Sequence, residues 1–176
     1  MPHPLVTQLR FTRSEWLRGL EPVTDEEARR HLRPMNSISW MIGHLAWQEQ
    51  LYWLTRAQGR TLLPEVERFG FGQPMSTPPL DEAWRAWRAI TAAADPFLDT
   101  LTPERLLTHY QVDGKPHRES IGTQLQRVIY HYWFHLGEAQ AVRQLLGHTD
   151  LPDFVGEISK APYGPEASAG SAGHHG

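Results

Sequence analysis

The sequence predicts an all-α protein, a single four-helix bundle with long crossover connections. Three observations carry that expectation. Four segments of about 16 to 26 residues repeat apolar side chains at helical spacing. None sustains the two-residue alternation of a half-buried strand, and two connections are long and rich in Gly and Pro. With 176 residues, 40% of them apolar, one domain can bury a sizeable core without cross-links.

The first segment runs from about Leu5 to Leu20, with Leu9, Thr12, Trp16 and Leu20 on one stripe. A short helical turn over Thr24 to Leu32 follows. Thr24 opens it with Glu27 three residues on, a capping-box pattern, and Pro34 stops it. The second long segment begins at Asn36-Ser37, both good N-caps, and continues to about Ala57 ahead of Gly59. Ile38, Met41, Ile42, Leu45 and Tyr52 form one stripe along it, and Trp40, His44, Trp47 and Leu51 a second beside it. A helix apolar over so wide an arc is covered on more than one side.

Arg60 to Pro79 reads as a loop, either a crossover or the wall of a site. The third helix is expected over Leu80 to Leu101, facing inward with Trp84, Trp87 or Arg88, Thr91, Phe97 or Leu98, and Leu101. Pro96 predicts a kink or break within it. Thr102 to Arg118 is irregular, with a small hairpin expected around Asp113-Gly114. The fourth helix starts near Ser120 and ends at Gly147. Beyond Pro152 the chain reads as tail. Residues 161–176, rich in Gly, Ala, Ser and Pro, are expected to be disordered, which leaves 1–160 as the domain.

Composition excludes several chemistries. The absence of cysteine removes disulfide scaffolds, thiolate metal sites and cysteine nucleophiles. Seventeen basic residues against twenty acidic ones leave a net charge of -3, without the clustered cations that a nucleic-acid partner requires. The N-terminus carries no signal-peptide pattern. The uncharged run Val128 to Leu136 falls far short of a membrane span. A cytoplasmic protein without nucleic-acid or membrane partners is the expectation.

Any metal must therefore be held by histidine and carboxylate, and ten histidines are available. His3, His174 and His175 are terminal. His31, His109, His117 and His148 fall in loops or at helix ends, where solvated or capping roles are expected. His131 and His135 are four apart on the fourth helix, so both point to one face and can reach a single ion. Spacing alone is weak, since random placement of ten histidines yields about 0.55 such pairs. Context adds weight: no other polar side chain except the Tyr hydroxyls lies between Val128 and Leu136, and two buried imidazoles need partners. Metal ligation and core histidines bonded to backbone or carboxylate both remain open at this point. His44, in the aromatic stripe of the second helix, would complete three neutral nitrogen donors with open positions beside them, the arrangement of a reactive zinc-type site. Glu138, three residues after His135, is a candidate fourth ligand, orienting partner, base or plain surface glutamate; Glu49 is the other nearby carboxylate.

Paired Glu-x-x-His motifs of di-iron bundles, glycine-rich phosphate loops and G-x-S-x-G elbows are absent. Two signatures resemble the DinB/YfiT-like family of metal-binding four-helix bundles. One is Asn36-Ser-Ile-Ser-Trp-Met-Ile-Gly-His44-Leu-Ala-Trp-Gln-Glu49. The other is Val128-Ile-Tyr-His131-Tyr-Trp-Phe-His135-Leu-Gly137-Glu138, followed by Arg143 to Gly147 and Leu151-Pro152. The resemblance covers about Leu5 to Ile158. It implies an unusual helix order and a divalent ion, often nickel or zinc, on His44, His131 and His135, with water in the open positions. It also implies a homodimer. Some relatives are S-transferases or isomerases that use a low-molecular-weight thiol such as bacillithiol or mycothiol. Glu138 stands where the family often has Gln.

Two functions follow as expectations. One is a metal-dependent transferase or hydrolase acting on a small-molecule substrate, with a low-molecular-weight thiol as cosubstrate in the transferase case. The other is a non-catalytic metal-binding stress or interaction protein, for which Tyr130 and Trp133 are candidate surface residues.

Overall fold

The computed structural model describes residues 2–153 and 155–163. It is all-α apart from one two-stranded hairpin. Helix α1 spans Pro4–Leu20, with proline in its first turn and the His3 ring accepting from the Leu5 amide at 3.2 Å. The capping box at Thr24 and Glu27 opens α2, Asp25–Arg29. This helix is shorter than expected: Arg30 is already extended, with ψ 127°.

Ser37 caps α3, Ile38–Glu49, by accepting from the Trp40 amide. The expected single helix to Ala57 is replaced after Glu49 by a π-helical segment, Gln50–Arg56. Its wider winding rotates the following side chains relative to an α-helical continuation. The buried Gln50 side chain ties the returning loop, accepting from the amides of Leu62 and Leu63 and donating to the Leu63 carbonyl. That loop holds a 3-10 turn, Pro64–Phe69, packed on α3.

Helix α4 covers Leu80–Leu98 and runs through Pro96 without a break, because Pro96 stands in its last turn. The helix ends three residues before the expected Leu101. After the short α5, Pro103–Leu106, strands β1 (Gln111–Val112) and β2 (Lys115–Pro116) pair antiparallel. Asp113 and Gly114, with φ of 51° and 73°, form the turn that the Asp-Gly pair predicts. Ser120 caps α6, Ile121–Leu145, and Gly147 at φ 93° terminates it.

Helix α3 packs on α4 and α6, and α1 packs on α6. Leu9, Trp16, Met41, Leu45, Ile90 and Val128 are fully buried at their meeting. Groups from all four long helices join a polar network in this core. Arg13 makes a two-point contact with Glu49 at 2.6 and 2.8 Å and reaches Asp95 at 2.9 Å. The Tyr132 hydroxyl donates to Glu49 at 2.9 Å and accepts from Trp87 Nε1 at 2.7 Å. Burial opposes the Arg13 charge, but the Glu49 carboxylate outweighs it and raises the pKa. Burial, with Glu49, raises Tyr132 well above the usual phenol value.

Beyond Pro152, the described residues up to Ala161 bond to α1 rather than trailing as a tail. The Gly156 amide donates to Glu15 at 2.8 Å, and Gln8 donates to the Ala161 carbonyl at 2.6 Å. Most of the segment expected to be disordered, from 164 onward, lies outside the described residues. Among the described residues, no helix is long and apolar enough to cross a membrane.

Candidate metal centre

Three helical positions converge where α3 meets α6. His44 lies in α3 with its ring stacked on those of Trp40 and Trp47, at centroid distances of 4.5 and 5.4 Å. His131 and His135, one turn apart on α6, present their rings at 4.9 and 5.3 Å from that of His44. One nitrogen of each imidazole lies within 4.8 Å of the others. A single ion can therefore be reached by all three.

The opposite nitrogens decide which atoms are free. His44 Nδ1 lies 2.5 Å from the Phe69 carbonyl, which can only accept. His135 Nδ1 lies 2.8 Å from Glu138 Oε2, and His131 Nδ1 lies 2.8 Å from Gln48 Oε1. Each ring thus places its proton on Nδ1 and keeps an unshared pair on Nε2. Carbonyl, amide and carboxylate partners of this kind orient imidazoles toward a metal. Each ring is bonded as a core histidine would be, yet each also keeps an Nε2 that an ion could use.

Burial, with the Phe69 carbonyl opposing it, holds His44 down to about 4. Burial and the two neighbouring rings hold His131 down to about 3. Both are neutral at pH 7, so no proton need leave before they ligate. Half-burial works against the Glu138 charge, but the hydrogen bonds from His135 and Asn36 prevail and lower its pKa. Both Glu138 oxygens are engaged, Oε1 by the Asn36 amide at 3.1 Å and side chain at 3.0 Å. Glu49 is not in the centre at all; it is consumed by Arg13 and Tyr132.

The 3-10 turn reaches the site because Gly43 leaves room for it: a Cβ there would sit 2.7 Å from the Phe69 ring. Beside the histidines opens a cavity of about 840 Å³, lined by His44, Gln48 and His131 on one side and by Tyr52, Phe71 and Phe134. Both long connections contribute to it, the first through Phe71 and the second through His117 and Arg118. His117, read from sequence as an ordinary loop residue, is thereby a cavity residue. Tyr130 is exposed at the same cavity, whereas Trp133 is half-buried. Gln48 was legible in principle, one turn after His44 on the same face. The Phe69 carbonyl was not, since backbone groups leave no sequence signal.

A family model described as the DinB superfamily matches residues 8–139. The chain belongs to the DinB superfamily. The matched span contains both histidine-bearing helical stretches of this DinB-superfamily protein and includes Glu138. No curated protein matches the chain.

Proposed function

We propose that this DinB-superfamily protein is a divalent-metal-dependent enzyme of the S-transferase or hydrolase type, acting on a small molecule in the cavity beside His44, His131 and His135. One observation carries the reading: three imidazoles keep Nε2 free, each with Nδ1 anchored, and two of them, His44 and His131, line an open cavity. Three imidazole nitrogen donors without sulfur suit zinc or nickel. A bound ion would supply Lewis-acid chemistry, bringing the pKa of a water or a thiol cosubstrate toward neutrality.

The chain's own residues account for the rest. Phe69, Gln48 and Glu138 hold the three rings in one tautomer and orientation. Glu138, with both oxygens engaged, acts as the orienting carboxylate rather than as base or fourth ligand, which leaves coordination positions open toward the cavity. Tyr52, Phe71 and Phe134 offer flat apolar walls that exclude water from a bound substrate.

The test is metal content of the full chain as purified, paired with assays of thiol conjugation to a small electrophile and of ester hydrolysis. The expected result is near-stoichiometric zinc or nickel, lost in His131→Ala together with turnover. Unchanged metal content in that variant would show the site to be wrong. Metal without turnover in either assay would favour the non-catalytic reading, for which exposed Tyr130 and Phe134 on α6 offer a surface for a second copy or another partner.

A further inference from the structure

The same cavity has a second cluster, built from Arg56, Gln124 and His117. Arg56 ends the π-helical segment, with its guanidinium over the Tyr52 ring at 4.8 Å from the centroid. Its Nη1 donates to Gln124 Oε1 at 3.3 Å. Among the described residues no carboxylate lies within ion-pair distance of it, so this half-buried cation is held in place by a neutral partner. A guanidinium has five N–H donors, and most of these remain unspent.

Gln124 is fully buried and holds two groups at once. Its Nε2 donates to the Glu119 carbonyl at 3.1 Å and lies 3.4 Å from His117 Nδ1. The Glu119 amide donates to the same Nδ1 at 3.1 Å. His117 Nδ1 also lies 3.3 Å from the Glu119 carbonyl, so the loop and Gln124 engage this nitrogen, and Nε2 is the ring atom left outside the network among the described residues.

The charge agrees. Arg56, Arg118 and Arg127 line the cavity with Glu119 as the one carboxylate, which Arg127 grips through two contacts. Three cations against one anion leave the cavity positive before any metal is bound.

We propose that Arg56, supported by His117, forms an oxyanion subsite for a carboxylate or phosphate at one end of a small ligand whose flat apolar body lies along the Tyr52 and Phe71 walls. The proposal rests on reading this cavity as a substrate pocket but not on the presence of the ion. It selects anionic substrates or cosubstrates over neutral ones of the same shape.

Calorimetric titration of the full chain, as purified and after chelation, tests it with three probes: 4-phenylbutyrate, phenyl phosphate and neutral 4-phenylbutanamide. The expected result in the chelated protein is binding of at least one oxyanion probe about tenfold or more tighter than the amide. Arg56→Met removes the difference and Arg56→Lys restores part of it. Whichever oxyanion binds tighter names the ligand group. Equal binding of acids and amide, or discrimination that survives Arg56→Met, overturns the subsite. Discrimination that vanishes on chelation and ignores Arg56 places the anion on the metal, which sinks this inference while leaving the metal reading intact.

Discussion

At the residue scale the centre is a matter of which nitrogen carries a proton. Glu138→Gln keeps an acceptor for His135 but surrenders the carboxylate, and loss of such a partner weakens metal affinity by about 10- to 100-fold. Competition with a chelating dye measures it, and Gln48→Leu should do the same through His131. The buried rings also set an acid limit. A base whose folded pKa is depressed binds fewer protons folded than unfolded, so stability is complete above the ordinary value of 6.5 and declines below it. For His44 and His131 that decline runs from 6.5 toward about 4 and about 3. Thermal melts of the chelated protein should fall across this window, and less steeply in His131→Phe. The spacing of His131 and His135 made this pair legible. The face shared by His44 and Gln48 was legible too, but the use of that amide depends on α6 arriving opposite.

At the element scale Gly43 governs how closely the 3-10 turn lies on α3. Gly43→Ala would force a methyl to 2.7 Å from the Phe69 ring, an overpacking that costs about 1–3 kcal/mol. The same displacement moves the Phe69 carbonyl from His44. Denaturant melts should therefore show lower stability together with weaker metal binding. At the fourth helix, Ser120→Ala removes only a cap and should cost about 1 kcal/mol without touching the metal. Helix starts were the most readable features, because Thr24, Ser37 and Ser120 each leave a local chemical signature. The π-helical winding after Glu49 left none. It accompanies Gln50 bonding to a loop twelve residues onward, a partner that periodicity cannot see. Pro96 does not break its helix for a simpler reason: it stands in the final turn, and its position relative to the true end was not legible.

At the scale of the whole molecule, four helices meet through Arg13, Glu49, Tyr132 and Trp87 or Asp95. Arg13→Met would strand the fully buried Glu49 carboxylate, and breaking such a pair costs about 3–5 kcal/mol. Equilibrium urea unfolding should show that loss. The double variant Arg13→Met, Glu49→Leu should recover much of it, because the stranded charge is gone. The all-α class and the four long helices were readable from apolar spacing. The network was not, since Arg13 and Glu49 look like ordinary charged positions until the packing of the four long helices buries them. The run beyond Pro152 escaped for a related reason: its partners Gln8, Glu15 and Arg18 lie at the far end of the chain.

The carbonyl that steadies His44 and the ring at the cavity mouth belong to one short length of backbone, at Phe69 and Phe71. A guest pressing on Phe71 would tug on the anchor of His44 two residues away. In a metal-loaded centre, occupancy of the cavity would thereby reach the electronic environment of the ion. Cobalt substituted into the centre should change its visible absorption when the cavity fills, even with a guest that never touches the metal.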